Sequence, residues 1–320
     1  MSNINSKVFN WIRSERALPA FMGAFIVWMV TSGLAGKGMF GTLTSGIAIG
    51  TFLFFVGIGQ MFVITSGNGG IDLSVPYVMT LSAYISASVM AGLNSKFIYG
   101  LLVAVVVGLL VGILNVFLIE AVSMPPIIAT LSVGFMLQSA TLVLSSKSSG
   151  TPSPPAFESL TTGRVGPIPS IAIFGIVVGI IFTLILTRTS YGRSVRAVGQ
   201  SLPAARLAGL KYRRVTTIAY IICSLAASLT GFLLAAYAGG PSLTMGGTYQ
   251  LGSIAVVVLG GSLIAGGLSN VPGIWAAALL LTLLITLVNV AHLGAGMQDV
   301  VQGVLIVLVL TVGGTKRQKD

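Results

Sequence analysis

The twenty residues Ile47-Ala-Ile-Gly-Thr-Phe-Leu-Phe-Phe-Val-Gly-Ile-Gly-Gln-Met-Phe-Val-Ile-Thr-Ser66 contain no charged side chain. A helix crossing the hydrocarbon core of a bilayer needs about 20 such residues. It is the one open structure that pairs every backbone amide and carbonyl internally, and each group left unpaired in lipid costs several kcal/mol. The run breaks at Gly67-Asn68-Gly69-Gly70-Ile71-Asp72, and a second apolar run begins at Leu73. Extending the count along the chain gives ten runs: 19–35, 47–66, 73–92, 97–119, 126–144, 168–187, 215–237, 249–264, 272–290 and 297–312. The pattern predicts an all-α, polytopic transmembrane bundle of about ten spans, one membrane domain over residues 1–320. The short runs 19–35, 249–264 and 297–312 read as tilted, broken or re-entrant helices.

Composition agrees with this and excludes other classes. Of 320 residues 55% are hydrophobic and 7% charged, against roughly 25% charged in an average soluble domain. The net charge of +11 does not indicate nucleic-acid binding, because the basic residues lie between apolar runs and not on a soluble face interleaved with aromatics. Their distribution sets orientation instead, since positive loops stay cytoplasmic. With the N-terminus inside, thirteen of the seventeen Lys/Arg fall on the cytoplasmic side and only Lys37, Lys96, Lys147 and Arg164 outside. Both termini, the segment 1–18 and the tail 313–320, are therefore expected in the cytoplasm. No cleavable leader stands out in the polar first sixteen residues, so the first apolar run is expected to be retained. The single cysteine, Cys223, lies in an apolar run and reads as a small helix residue, and the single histidine, His292, cannot make a metal site.

Two loops exceed ordinary connectors. Residues 145–167, rich in Ser, Thr, Gly and Pro, are expected outside, as a plain connector or a cover. Residues 188–214 are expected in the cytoplasm and carry seven Lys/Arg and no acid. Within them, Ser201-Leu202-Pro203-Ala204-Ala205-Arg206-Leu207-Ala208-Gly209-Leu210 has the grammar of a short helix. Ser201 caps the start, Pro203 is tolerated in the first turn, and Gly209 ends it in the left-handed conformation. So short a helix is marginal alone and needs packing, on this chain or in the cleft of another subunit. No Gly-x-x-x-x-Gly-Lys-Ser/Thr phosphate cradle occurs, and Lys37 is followed by Gly38, which offers no hydroxyl for magnesium. If ATP drives this protein, another polypeptide binds it.

Several motifs in order bring a family into view. Gly69-Gly70-Ile71-Asp72-Leu73-Ser74-Val75, Pro125-Pro126-Ile127-Ile128-Ala129-Thr130-Leu131, Tyr191-Gly192-Arg193, the 201–210 helix, and Tyr249-Gln250-Leu251 through Val258-Leu259-Gly260-Gly261 to Gly266-Gly267 resemble the ribose/xylose/galactose-type permeases of bacterial ABC importers. The resemblance covers residues 47–313. It implies a multi-pass protein of the bacterial inner membrane, working with ABC ATPase subunits that bind ATP and magnesium. It also implies a second permease copy or close paralogue and a periplasmic sugar-binding protein. In such permeases the loop helix is the coupling helix that docks on the ATPase, a role the resemblance carries to 201–210. The chain departs from the family pattern at Pro76, where glycine is usual, and at Leu202 and Ala204, where a polar or acidic residue is common.

Ionisable groups within a membrane are costly, so Asp72 requires a reason. It reads first as a cap for the helix that follows, whose N-terminal dipole favours a carboxylate, and second as a contact for substrate or a gate. Neutral sugars are held by amides, hydroxyls and ring faces. The candidate pathway residues are accordingly Asn68, Asp72, Asn115, Tyr249, Gln250, Asn289 and Gln302, with Gln60, Gln138 and Gln298 as further in-span amides. The glycine pairs Gly46/Gly50, Gly108/Gly112 and Gly175/Gly179 read as helix-packing faces. An ion-coupled secondary transporter is the competing class. It would need more mid-span ionisable groups than Asp72 alone. A membrane enzyme would need an acid–base pair or an oriented nucleophile, which six scattered acids do not supply.

Overall fold

The structure, a computed structural model, describes residues 18–36, 38–146 and 152–294, together with 296–298, 300–301, 303–304 and 307. Most of the expected N-terminal segment 1–18, Lys37, Lys147, Asp299, Gln302 and the tail 313–320 lie outside the described residues. The chain folds as α1 (Leu18–Ala35), α2 (Met39–Thr65), α3 (Val75–Met90), α4 (Phe97–Val116), α5 (Pro126–Ser145), α6 (Pro155–Thr162), α7 (Ser170–Arg188), α8 (Ser190–Gln200), α9 (Leu202–Leu207), α10 (Tyr212–Tyr237), α11 (Gly247–Leu259) and α12 (Val271–Val290). Among the described residues, α2, α4 with its flanking turns, α5, α7, α10 and α12 are long and apolar enough to cross a membrane. Leu18–Leu34 of α1, α3 and α11 are shorter apolar helices. The chain is a polytopic helical membrane protein.

Nine of the ten apolar runs coincide with helices, and the tenth, 297–312, is only partly described. Where the ends differ, the backbone gives the reason. The helix of run 47–66 reaches back to Met39, because residues 39–46 carry no charge and the hydroxyls of Thr42 and Thr44 are taken up by the carbonyls of Gly38 and Phe40 at 3.3 and 3.0 Å. A threonine that bonds back on its own helix exposes no polar group to lipid. At 27 residues α2 is about 40 Å long. The run 249–264 was too long: α11 stops at Leu259, where Gly260 meets the backbone of Gly273, and Leu263 and Ile264 lie in the following loop. The segment 145–167 is not plain coil. It holds α6 and opens a two-residue antiparallel ladder, β1 (Arg164–Val165) with β2 (Ile168–Pro169), a small exception to the all-α expectation. Phe157 of α6 is buried against Phe97 and Phe232, with ring centroids 5.0 and 4.4 Å apart, so this segment is packed onto the ends of α4 and α10.

The core is built on α2 and α10. α2 is nearly all buried and packs against α1, α7, α10, α11 and α12, while α10 packs against α2, α3 and α4. All three expected glycine pairs face a neighbouring helix. A Cβ on Gly108 or Gly112 would come within 2.8 Å of Leu225 Cα or 2.9 Å of Ile221 Cα, so α4 and α10 touch backbone to backbone. Gly46 and Gly50 meet α12, and Gly175 and Gly179 meet α2 and Trp275. The outer faces of α4, α5 and α7 remain apolar and exposed, as at Leu110, Phe135 and Ile180, which suits helices solvated by lipid.

Candidate functional site at the basic loop and the start of α3

The basic segment is helical almost throughout, because its polar residues cap one another's helices. α7 ends at Thr189, whose Oγ1 donates to Ile185 O at 2.6 Å and accepts from Gly192 N at 3.1 Å, so one side chain closes α7 and opens α8. Arg196 then reaches back. Its Nη2 donates to Leu186 O at 3.1 Å and its Nε to Gly192 O at 3.3 Å, placing a cation on the negative end of α7. Tyr191 fastens α8 to the core. Its ring stacks on Phe62 with centroids 5.9 Å apart, its hydroxyl donates to Val215 O at 3.4 Å, and burial raises its pKa.

One residue, Ser201, separates α8 from α9. Its extended backbone and its Oγ, accepting from Ala204 N at 3.3 Å, start the helix, with Pro203 in the first turn. Gly209, at φ +74°, ends it: Leu210 N donates to Ala205 O and Gly209 N to Arg206 O, each at 3.0 Å. The helix proper spans six residues, Leu202–Leu207, inside the expected segment 201–210, with Ser201 and the turn at Ala208 to Leu210 as its ends. Ala205, Leu202 and Leu210 pack on the core. Leu207 points away from it and is 91% exposed. Arg206 lies over the Tyr212 ring, 4.4 Å from its centroid. Arg213 pairs with Glu120 at 3.3 Å, the ion pair found among the described residues. Glu120 stands where the end of α4 widens, Val122 N donating to Phe117 O at 3.2 Å.

The start of α3 gathers a buried polar group. Asp72 does not cap the helix as expected. It stands two residues earlier, where its Oδ1 accepts from Ser74 N at 2.9 Å and from Ser74 Oγ at 2.6 Å, and Ser74 is the cap residue. Asn115 of α4 donates from Nδ2 to Ser74 Oγ at 3.0 Å. Thr130 of α5 accepts from Leu73 N at 3.0 Å. Gln60 of α2, with its amide oriented to satisfy both groups, donates to Asp72 O at 3.3 Å and accepts from Asp72 N at 3.1 Å. Asp72 Oδ2 and Asn115 Oδ1 are buried without a hydrogen-bond partner among the described residues.

The candidate pathway residues are thus divided by the fold. Asp72 and Asn115 share one network, and Gln60, Ser74 and Thr130 complete it. Ser74 and Thr130 stood in the quoted motifs without a role, and nothing local marked them, since their partners come from other helices. Asn68 is exposed in the turn before Asp72, at φ +55°. Tyr249, buried, and Gln250 sit on the first turn of α11, just before Gly252, which meets Leu53 of α2 about two turns along that helix from Gln60. Asn289, exposed at the end of α12, accepts from Gln298 at 2.6 Å. Gln302 lies outside the described residues.

A bundle of apolar helices with outward apolar faces, buried polar helix starts and a basic helical segment is that of a multi-pass membrane protein. The chain belongs to the family described as the branched-chain amino acid transport system / permease component, which matches residues 42–310. Its curated relatives include the "Probable ABC transporter permease protein y4mJ" of Sinorhizobium fredii, 31% identical over 94% of this chain and 90% of the relative. The ribose import permease protein RbsC of Bacillus subtilis is 29% identical over 93% of each chain, and the fructose import permease protein FruG of Bifidobacterium longum is 27% identical over 95% of each. No solved structure matches.

Proposed function

We propose that this chain is the membrane-spanning permease of an ATP-driven ABC importer for a monosaccharide or sugar-like solute. The supporting observation is α9, a helix capped at both ends, set in an acid-free basic segment, packed on one side and presenting Leu207 to solvent on the other. Full-length relatives named as ribose and fructose import permeases support the solute class. In this reading the chain crosses the bacterial inner membrane about ten times with both termini in the cytoplasm. It pairs with a second copy or a close paralogue, and a periplasmic binding protein delivers the solute. ATP and magnesium are bound by separate ATPase subunits that receive residues 201–210. Closure of those subunits moves α9 as a lever and opens the path between the permeases to alternate sides.

Affinity purification in mild detergent, with mass spectrometry of what accompanies the chain, tests this. The expected result is a subunit carrying a phosphate-binding loop, whose hydrolysis of ATP rises when a sugar-loaded binding protein is added. A chain that purifies alone and moves solute under an ion gradient would replace the reading with that of a secondary transporter.

A further inference from the structure

Three separate stretches of backbone meet where α8 ends, and glycine makes each approach possible. Gly267 N donates to Thr65 O at 3.0 Å, joining the loop after α11 to the end of α2. Gly199, on the last turn of α8, sits against both. A Cβ there would overlap the Thr65 carbonyl oxygen and the Gly267 nitrogen and lie 3.1 Å from Gly267 Cα. A Cβ on Gly266 would come 2.6 Å from Gly67 Cα and 3.0 Å from Gly199 O, and one on Gly67 3.0 Å from Gly199 Cα. Gln200 covers Gly267, whose added Cβ would lie 2.5 Å from Gln200 Cγ.

The two loops that meet here have the same local design. Each leaves an apolar helix through glycines and enters the next at a polar cap followed by Val-Pro: Ser74-Val75-Pro76 before α3 and Asn270-Val271-Pro272 before α12. Each is anchored beyond the junction. Residues 71–74 bond to Thr130 of α5 and Asn115 of α4. Asn270 caps α12, accepting from Gly273 N at 3.4 Å. Between Gly199 and the first residue of α9 stand only Gln200 and Ser201, and Ser201 N bonds back to Ala197 O at 3.2 Å, so α8 and α9 are joined without a flexible linker.

We propose that Gly199 is the positioning residue through which movement of α9 reaches the permease core, pressing at once on the two broken helix starts at α3 and α12. Contacts between side chains can absorb a small displacement by changing rotamer. Contacts between backbones in a close-packed interior cannot, so a shift of Gly199 must displace Gly67 and Gly266 or be refused. The junction couples two loops that lie about two hundred residues apart in sequence to one lever. This inference rests on the reading of α9 as the element that meets the ATPase.

The test uses the assembled transporter in liposomes. Gly199→Ala is expected to leave the subunits together and ATP hydrolysis running, while solute moved per ATP falls by about tenfold, within the ordinary range of coupling between sites. Gly33→Ala, at an open helical position with nothing within 4 Å of an added Cβ, is the control and is expected to behave as the parent chain. Normal transport per ATP in Gly199→Ala overturns the proposal. Should that variant fail to fold, amide exchange on the unmodified assembly decides the matter. Adding a non-hydrolysable nucleotide should change exchange in residues 66–74 and in 260–270 together, and a response confined to residues 201–210 overturns the junction. If no ATPase subunit accompanies the unmodified chain, the reading of α9 falls, and this proposal with it.

Discussion

Leu207 and Asp72 occupy opposite kinds of anomalous position, and each makes a prediction. Burying a leucine is worth about 1.5–3 kcal/mol relative to leaving it in water. A side chain left 91% exposed at the tip of a capped helix is therefore available to a partner at no cost to this chain's own fold. Leu207→Asp is expected to leave thermal unfolding in detergent unchanged and to remove the ATPase subunit from the purified complex. Asp72 is a carboxylate at 1% exposure whose Oδ1 holds the backbone and hydroxyl of Ser74. Replacing it by alanine leaves Ser74 N without its acceptor, and an unmade buried bond costs about 1–3 kcal/mol. Asn retains the acceptor. Thermal melts should therefore rank parent and Asp72→Asn close together and Asp72→Ala well below. A folded Asp72→Asn chain that no longer transports would assign the carboxylate to the pathway as well.

At the scale of elements, the sequence shows what is local and hides what is not. Ser201, Pro203 and Gly209 announced α9, since capping and a left-handed stop are properties of neighbouring residues. Both of its ends were legible for that reason, and the structure places the helix proper, Leu202–Leu207, between them. The Asp72 network was half legible. The carboxylate stood out by cost, whereas Asn115 and Thr130 lie 41 and 57 residues from the groups they bond, and only the packing of α3 against α4 and α5 brings them in. The glycine pairs read as packing faces, but not which helices they join. The fold now makes that specific. Gly112→Leu would insert a side chain where α4 meets Ile221 of α10, 2.9 Å from where even a Cβ would stand. Overpacking of this kind destabilises by about 1–3 kcal/mol or more. Size-exclusion chromatography should show loss of the monodisperse species, while leucine at the lipid-facing Val106 should be tolerated.

For the whole molecule, composition and run lengths already separated a membrane bundle from every soluble class. The helices of the structure fall on those runs because lipid leaves the backbone no alternative. The glycine break after Ser66 was legible as an interruption between two apolar runs, whereas the one at 260–270 escaped the count because Leu263 and Ile264 prolong the apolar run past the end of α11. Orientation follows from charge and is testable directly. Cys223 is buried, so the parent chain should resist an impermeant thiol reagent. With the charge bias read as cytoplasmic, Ser194→Cys should react only in inverted vesicles and Asn94→Cys only in intact cells. Labelling of Ser194→Cys from the outside would reverse the topology.

The most direct measurement is solute uptake by liposomes holding this chain with its co-purified ATPase, ion gradients collapsed, binding protein loaded with sugar on one side and ATP on the side of residues 188–214. The account predicts uptake that requires ATP and the binding protein and ceases in Leu207→Asp. Uptake by the chain alone, driven by an ion gradient and indifferent to ATP, would contradict it.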